Sequence, residues 1–310
     1  MTPDATRKIE ARQRGNALGF WFFRVSLRAF GLRGAYGLLY IVCSYYVIFD
    51  RRAVQAARAY VDRRFPDHGR WARLADVYRL FVSQGKNLID RYYLISGVGR
   101  FGTRVEGEAR LRDVMQSGHG IVLLTAHVGN WQTIMNYLGA FERKVNLVMR
   151  PEDNPAVRES LGIDRSGQTI GIISPEGYLG GVVESMNALG RGEVVSLMGD
   201  RSYGFNPVEV NFLGGRAWFA SGAFHLAAMA GCPAVVLLSA KNGTHDYTVE
   251  VVSITRPRYQ PGIPKREQLA GWVQAFAQVL EEYLIRHPYQ CFLFYDIWQK
   301  PEVKNHPLET

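Results

Sequence analysis

A histidine that follows a buried strand is the residue of this chain best placed to do chemistry. Residues 121–125 are five consecutive aliphatic or β-branched residues, which is typical of a parallel strand buried on both faces, and His127 follows them closely. Gly129 and Asn130 then break the run, at the edge where open α/β sheets bind their ligands. Imidazole exchanges a proton near neutral pH, so the sequence predicts a general base facing a cleft. The alternative is a histidine packed in the core.

Polar residues follow two other predicted strands. Arg150 comes after one of them, and Asp200 and Arg201 come after another. The carboxyl ends of parallel strands meet at one edge of a sheet, so we expect these side chains to line one crevice with His127. Guanidinium groups at this edge would bind phosphates with two parallel hydrogen bonds. For Arg201, and for Arg216 further along the chain, a surface ion pair is the alternative.

The rest of the chain alternates between helical and extended patterns. This predicts an α/β fold, with a mostly parallel central sheet flanked by helices and an N-terminal helical membrane-associating element. We expect that N-terminal region over 1–95, an α/β domain over 96–300 and a C-terminal tail over 301–310. Strands are predicted over 145–149, 193–198, 208–212, 234–238 and 247–254. Helices are predicted over 51–95 with a break at 65–67, over 108–116, after Asn130, from 154, and over 179–189, 217–230 and 267–285.

One glycine motif does not fit the function that its spacing suggests. Residues 97–102 have the Gly-x-Gly-x-x-Gly spacing of dinucleotide sites. That motif must close a strand and open a helix, whereas here a helical stretch precedes it and an extended piece follows. We therefore interpret residues 97–102 as a linker.

Composition limits the partners. The chain has 310 residues, and its 37 Lys and Arg against 28 Asp and Glu give a formal net charge of +9. Such a surface attracts anionic partners, for example phospholipid headgroups, phosphorylated cofactors or an acidic carrier protein. Nucleic acid is not expected, because the sequence has no finger spacing, ribonucleoprotein motif or basic heptad region. The three cysteines, Cys43, Cys232 and Cys291, lie far apart in apolar runs, which predicts reduced thiols.

Two enzyme classes are also disfavoured by missing motifs. No pair of His or Cys residues has the spacing of metal ligands, so no metal is expected. A serine hydrolase is disfavoured because the sequence has no Gly-x-Ser-x-Gly elbow.

The N-terminal region is aromatic and apolar. Residues 17–49 are rich in Trp, Phe, Tyr and Leu, and the last 16 of them, 34–49, carry no charge. This run is shorter than the roughly 20 residues that span a bilayer, so it favours an interfacial or buried helix. Arg24, Arg28 and Arg33 would then contact anionic lipid. The alternative is a helical hairpin that caps the core.

Several blocks of sequence resemble, in order, those of the lipid A biosynthesis acyltransferase family, which lies within the glycerophosphate acyltransferase-like superfamily. The blocks begin at His127, Arg150, Gly199, Phe212 and His287. The resemblance runs from about residue 20 to about residue 300, which makes it more specific than any single motif. It implies transfer of a fatty acyl group from acyl carrier protein or coenzyme A to a hydroxyl or amine of a lipid or glycolipid acceptor. It also implies a peripheral or monotopic enzyme at the cytoplasmic face of a bacterial inner membrane, with neither metal nor other cofactor.

The resemblance implies roles for individual residues as well. His127 would deprotonate the acceptor, which attacks the thioester carbonyl without an acyl-enzyme intermediate. Donors near Asn130, together with Arg150, would stabilise the oxyanion. The residues expected to bind substrate are Trp131, Arg150, Asp200, Arg201 and Arg216.

Gln132 departs from the pattern of that family, which has Asp or Glu at this position. The family's carboxylate orients the imidazole and stabilises its charged form, and an amide does neither well. We favour a natural variant in which the carbonyl of Gln132 accepts the imidazole N–H and another carboxylate, such as Asp200, provides the charge. A substitution introduced to trap a complex and a loss of catalysis are the other two interpretations. The alternative functions are therefore a lysophosphatidic-acid-type acyltransferase and a catalytically impaired homologue that binds lipid or acyl chains.

Overall fold

A seven-stranded, mostly parallel sheet forms the centre of the molecule. The computed structural model describes residues 17–149, 170–175, 181–202 and 207–301, with the side chains of 17–22 and 95 left aside. The order of strands in the sheet is β1-β9-β8-β2-β5-β3-β4, and only the β8–β9 pair is antiparallel. A separate antiparallel hairpin pairs β6 with β7. The strands are β1 (Gly102–Glu106), β2 (Ile121–Thr125), β3 (Val145–Val148), β4 (Ile170–Ile173), β5 (Val194–Met198), β6 (Pro207–Phe212), β7 (Gly215–Ala220), β8 (Ala234–Asn242) and β9 (Asp246–Thr255).

Helices cover both faces of this sheet. Along β2, Val122 and Leu124 belong to one apolar cluster, while Ile121 and Leu123 belong to another on the opposite face. A parallel strand buried on both faces is apolar throughout, which explains the uninterrupted run in the sequence. The α/β prediction is thereby confirmed. The helices are α1 (Ala17–Phe49), α2 (Arg51–Arg64), α3 (Arg70–Ile95), α4 (Glu108–Gln116), α5 (Trp131–Leu138), α6 (Val182–Gly190), α7 (Gly222–Ala230) and α8 (Lys265–Arg286), with a 3₁₀ turn at Gly139–Phe141.

The N-terminal helices pack on the sheet domain. Helix α1 bends at Gly31, whose φ of 64° is not helical. Asp50 is the N-cap of α2, and its side chain accepts the N–H of Ala53. The break between α2 and α3 falls where Pro66 was expected to interrupt the helical pattern. One apolar cluster contains residues of α1, α2 and α3 together with residues of the sheet and α8.

Helix α1 also has the properties of a membrane segment. Among the described residues it is the one helix long and apolar enough to cross a bilayer, over Phe23–Phe49, and an 18-residue window within it has a mean hydropathy of 1.4 and is 28% buried. Length and composition alone do not separate a membrane helix from a core helix. The apolar helix is longer than the uncharged run in the sequence because the arginines before that run are part of it.

The helix predicted over 217–230 is wrong in its first part. Residues Gly215–Ala220 form β7, and the helix begins only at Gly222. The reason is a two-residue hairpin turn in which Leu213 and Gly214 both have positive φ, of 48° and 70°. Strand β7 then alternates, with Ala217 and Phe219 fully buried and their neighbours partly exposed.

Some predictions lie outside the described residues, and besides β7 the strands β1 and β4 were not predicted. Arg150, the helix expected from residue 154 and the start of the helix expected over 179–189 are in the first group. Strand β4 is a four-residue edge strand that follows an undescribed segment, and β1 forms where only an extended piece was expected.

Candidate active site

The register of two neighbouring strands brings a histidine and an aspartate together. Thr125, the last residue of β2, is paired with Met198, the last residue of β5. His127 and Asp200 each lie two residues after the end of their strand, and Nδ1 of His127 is 2.9 Å from Oδ1 of Asp200. The backbone N–H of His127 donates to the other carboxylate oxygen of Asp200, at 2.7 Å. The carboxylate therefore fixes both the backbone and the ring of the same residue.

Gly199 is the residue that lets β5 deliver this aspartate. A Cβ at this position would lie 2.8 Å from Cδ1 of Leu124 and 2.9 Å from Cε1 of Phe276, closer than side-chain carbons approach one another. The N–H of Gly199 continues the sheet by donating to the carbonyl of Thr125 at 3.0 Å. A larger residue at this position would therefore have to displace Leu124 or Phe276.

Asp200 is a buried, ionised partner for the imidazole. Its side chain is fully buried, whereas that of His127 is 22% exposed. Burial raises the pKa of Asp200, but several contacts lower it more: the charge of His127, the hydrogen bond from its ring, the charge of Arg201 and the hydrogen bond from the backbone of His127. The pKa of Asp200 therefore lies below its ordinary value. An ionised carboxylate can only accept hydrogen bonds, so Nδ1 of His127 carries the proton. Nε2 is then the basic nitrogen.

The turn after His127 is held by other elements. Its carbonyl accepts the N–H of Phe292 at 2.7 Å, and the N–H of Gly129 donates to the carbonyl of Gln290 at 2.9 Å. The amide of Asn87, on α3, donates to the carbonyl of Gly129 at 2.6 Å. These contacts fix the backbone on which the base is mounted.

Asn130 and Gln132 both lie in the first turn of α5 and do not partner the imidazole. Asn130 is the N-cap of α5: its Oδ1 accepts the N–H of Gln132 at 3.1 Å, and its own N–H donates to Oγ of Ser239 at 2.8 Å. Gln132 is only 7% exposed, and among the described residues its Oε1 has no hydrogen-bond partner. The ring N–H of His127 that Gln132 was expected to accept is thus bound by Asp200, which lies two residues after the end of β5. The catalytic roles expected for Asn130 and Gln132 stay predictions.

The residues predicted to bind substrate are placed differently from one another. Nη2 of Arg201 donates to the carbonyl of Phe292 at 2.8 Å, beside the dyad. Arg216 is exposed on the hairpin, where its Nη1 lies 3.0 Å from Oε1 of Glu209, which is the arrangement expected of a surface ion pair. Trp131 begins α5 and is half-buried, with the guanidinium of Arg91 6.0 Å from its ring centre. Arg150 lies outside the described residues.

The cysteine nearest the dyad is not an accessible nucleophile. Cys291 is fully buried, and both this burial and the nearby charge of Asp200 raise the pKa of its thiol well above the ordinary value. The three cysteines are free and buried, in agreement with the prediction of reduced thiols.

Within the ranges that the structure describes, no group of three or more His, Cys, Asp or Glu side chains is arranged to hold a metal ion.

Sequence analysis missed three residues that support the site: Asn87, Ser239 and Gln290. They come from α3, β8 and the segment after α8, and each contacts the turn between His127 and α5. A polar residue inside an apolar run was the one available signal, and it is present for Ser239, which is fully buried in β8. Asn87 and Gln290 lie in mixed segments that give no such signal.

A buried carboxylate paired with a partly exposed imidazole, at the carboxyl edge of a parallel sheet, is typical of an enzyme that uses general-base catalysis. The model of the bacterial lipid A biosynthesis acyltransferase family matches residues 87–300, which include the dyad, its turn and the supporting residues. The chain belongs to this family and is an acyltransferase. A search of curated proteins found no match.

Proposed function

We propose that this protein transfers a fatty acyl group from an acyl thioester to a hydroxyl or amine of a lipid or glycolipid acceptor, with His127 as the general base. The observation that carries the proposal is the contact of both carboxylate oxygens of Asp200 with His127, through the backbone N–H and Nδ1. This contact leaves Nε2 as the basic nitrogen of a side chain that is 22% exposed.

The reaction follows from that arrangement. Nε2 of His127 takes the proton of the acceptor hydroxyl or amine as its oxygen or nitrogen forms a bond to the thioester carbonyl carbon. The tetrahedral intermediate then breaks its carbon–sulfur bond, and the imidazolium returns the proton to the leaving thiolate. Asp200 stabilises the imidazolium between these two steps. Direct transfer is favoured over a thiol-linked intermediate, because Cys291 is fully buried.

Gln132 fits this scheme as a natural variant that no longer has to provide a charge. Asp200 already occupies Nδ1 of His127, so a second carboxylate at position 132 has no hydrogen left to accept on that nitrogen. The loss of the family's carboxylate therefore does not by itself argue for an inactive homologue.

The acyl donor that fits the charge of the chain best is acyl carrier protein. The excess of nine positive charges suits an acidic protein surface, although coenzyme A is also anionic. Raising the ionic strength should raise the KM for either donor. Comparing the two donors at matched salt identifies the preferred one, and a KM that does not change with salt would contradict electrostatic capture.

We place the protein at the cytoplasmic face of a bacterial inner membrane, held as a peripheral or monotopic enzyme by α1. Large apolar side chains of α1, among them Phe30, Ile41 and Phe49, are about 70% exposed, with values of 74%, 70% and 67%. Arg51 and Arg52 follow directly and are exposed, so aromatic groups adjoin positive charges, as at a membrane surface. Flotation with anionic liposomes, before and after removal of residues 1–50, tests this location.

The test of the main proposal is acyl transfer by the purified protein. Labelled acyl thioester is supplied with a panel of lipid, glycolipid and lysophosphatidic acid acceptors, and products are identified by mass spectrometry. His127→Ala should abolish transfer. His68→Ala is the matched control, because His68 also pairs through Nδ1 with a buried aspartate, Asp76, at 2.6 Å. Transfer that persists in His127→Ala would refute the proposal, and binding of acyl thioester without turnover by the unaltered protein would favour a lipid-binding homologue.

A further inference from the structure

The turn that carries the catalytic base has a conformation that needs support. Gly129 has a φ of 56°, in the left-handed region, and a Cβ at this position would collide with the backbone carbonyl of Ser239. The residue is buried, so water does not readily satisfy its backbone groups. Their hydrogen bonds must come from other parts of the protein.

Two elements distant in the sequence provide those hydrogen bonds. The carbonyl of Gly129 accepts from Nδ2 of Asn87 at 2.6 Å, and its N–H donates to the carbonyl of Gln290 at 2.9 Å. Asn87 belongs to α3, one of the N-terminal helices that pack on the sheet domain. The turn that carries the base is therefore held partly by a helix that lies outside the sheet.

The helix that carries Asn87 is itself fixed at this point. One turn further along α3, the fully buried Asp90 accepts a hydrogen bond from Nζ of Lys241 on β8 at 2.6 Å. Tyr247 of β9 and Tyr36 of α1 also donate their hydroxyl groups to Asp90. Helix α3 is thus tied to β8, β9 and α1 within one turn of Asn87.

Gln290 links the same turn to β8. Its side-chain amide accepts the N–H of Lys241 at 2.7 Å and donates to the carbonyl of Lys241 at 3.1 Å. Its backbone carbonyl holds Gly129 from the other side. Lys241 therefore connects the two elements that hold the turn, which makes the support rigid.

We propose that Asn87 is a positioning residue for acyl transfer: its hydrogen bond to the carbonyl of Gly129 fixes the turn that aims Nε2 of His127 at the acceptor. This rests on the proposed function of His127. Without the amide donor, the buried carbonyl loses its partner and the turn relaxes. A displacement of about 1 Å at a catalytic group lowers the rate by about 10²-fold. Because Asn87 acts through the backbone of the turn, the loss should appear in kcat, with KM changed less than about twofold.

The experiment compares two variants of Asn87 with two variants of a similar asparagine elsewhere. Asn87→Asp keeps the shape of the side chain but cannot donate when ionised, and Asn87→Ala removes it. The controls are Asn146→Asp and Asn146→Ala. Asn146 is 5% exposed, and its Nδ2 donates to Oε2 of Glu193 at 2.8 Å and to the carbonyl of Val194 at 3.3 Å, at the amino end of β5 and thus the opposite edge from the dyad.

Kinetics are measured on the full chain, after the folded fraction of each variant has been determined by near-UV circular dichroism. We expect both Asn87 variants to lower kcat by about 30- to 100-fold, by the misplacement argument. Both Asn146 variants should stay within about threefold of the unaltered protein once corrected for folded fraction. This split separates positioning from a general effect on stability.

Two results would overturn the inference, and each is distinct from a failure of the proposed function. If both Asn87 variants keep kcat within threefold while His127→Ala is inactive, the hydrogen bond to Gly129 does not position the base. If the variants of Asn87 and Asn146 lose kcat equally, the role of Asn87 is only structural. Activity that survives in His127→Ala would instead refute the general-base function itself.

Discussion

Replacing Asp200 with asparagine tests the catalytic dyad most directly, because it removes one charge and leaves the shape of the side chain. In the structure, both carboxylate oxygens contact His127, at 2.7 Å and 2.9 Å. An asparagine in the same place can still accept one of these hydrogen bonds, so the backbone should stay in position. The change therefore acts on the charge and on the tautomer of the ring.

The size of the effect follows from the geometry. Charge centres of an imidazolium and a carboxylate in this contact are about 4 Å apart, and at an effective dielectric constant of about 20 they attract by about 4 kcal/mol. About 1.36 kcal/mol corresponds to a tenfold change in rate, so losing this attraction lowers kcat by about 10³-fold. An amide NH₂ facing Nδ1 would also move the ring proton to Nε2, where the acceptor's proton must go, which adds to the loss. A similar substitution in serine protease triads costs about 10⁴-fold.

The assay is steady-state acyl transfer with the donor and acceptor identified for the unaltered protein. Asp76→Asn is the matched control, because Asp76 is 1% exposed and pairs with His68 as Asp200 pairs with His127. We expect Asp200→Asn to lose about 10³-fold or more in kcat and Asp76→Asn to keep kcat within about threefold, after correction for folded protein.

The reasoning is refuted by one specific pattern. It fails if Asp200→Asn retains more than about a tenth of the original kcat while His127→Ala is inactive, because the base would then act without the buried charge. Equal losses in Asp200→Asn and Asp76→Asn, in proportion to the fraction unfolded, would show that both carboxylates only stabilise the fold.

Three further predictions concern the same region. Gln132→Glu should not raise kcat, because Nδ1 of His127 is already occupied by Asp200, and it should lower stability, because it places a charge at a buried position; a tenfold gain in kcat would contradict this. Gly129→Ala should lower the free energy of unfolding by about 1–3 kcal/mol through backbone strain, and the collision with Ser239 should lower it further. An unchanged Tm would argue against the left-handed conformation of Gly129. Because the pKa of Asp200 is lowered in the folded state, its ionised form stabilises the fold above about pH 4 and this contribution is lost as the pH falls through the folded-state pKa. The measurement is denaturant unfolding of the unaltered protein and of Asp200→Asn. The difference in their free energies of unfolding should be constant near neutral pH and change below about pH 4. A difference that stays constant down to pH 2 would contradict the lowered pKa of Asp200.

Much of the sheet could be predicted because its central strands are buried on both faces. The apolar run at β2 is uninterrupted, those at β5 and β8 each contain one buried serine, and each run ends in small or polar residues, so the strands were visible in the sequence. The hairpin was harder, because Gly215–Ala220 contains alanine and aromatic residues that are compatible with a helix. The deciding feature was the positive φ of Leu213, which side-chain propensity does not predict.

Only those residues of the candidate site that directly follow a strand could be predicted from the sequence. The sequence places His127 and Asp200 after two strands, but not the order of those strands in the sheet. The order matters because β2 and β5 are adjacent and in register, which is what puts the two side chains in contact rather than merely in one crevice. The supporting residues depend still more on tertiary structure: Asn87 is 42 residues and Ser239 is 109 residues from the backbone groups they bind.

Position 132 and Asp200 are held by different parts of the fold. A residue five positions after the histidine lies in the first turn of α5, and its contact with the ring depends on how the turn at Gly129 is folded. Asp200 instead reaches the ring through a parallel strand pair, whose geometry is set by the hydrogen bonds of the whole sheet. Asp200 directly follows the end of β5, so the sheet sets its position, and fixed placement is what a charge needs to stabilise a developing imidazolium. For this reason we expect activity to depend on Asp200 and to tolerate the amide at Gln132.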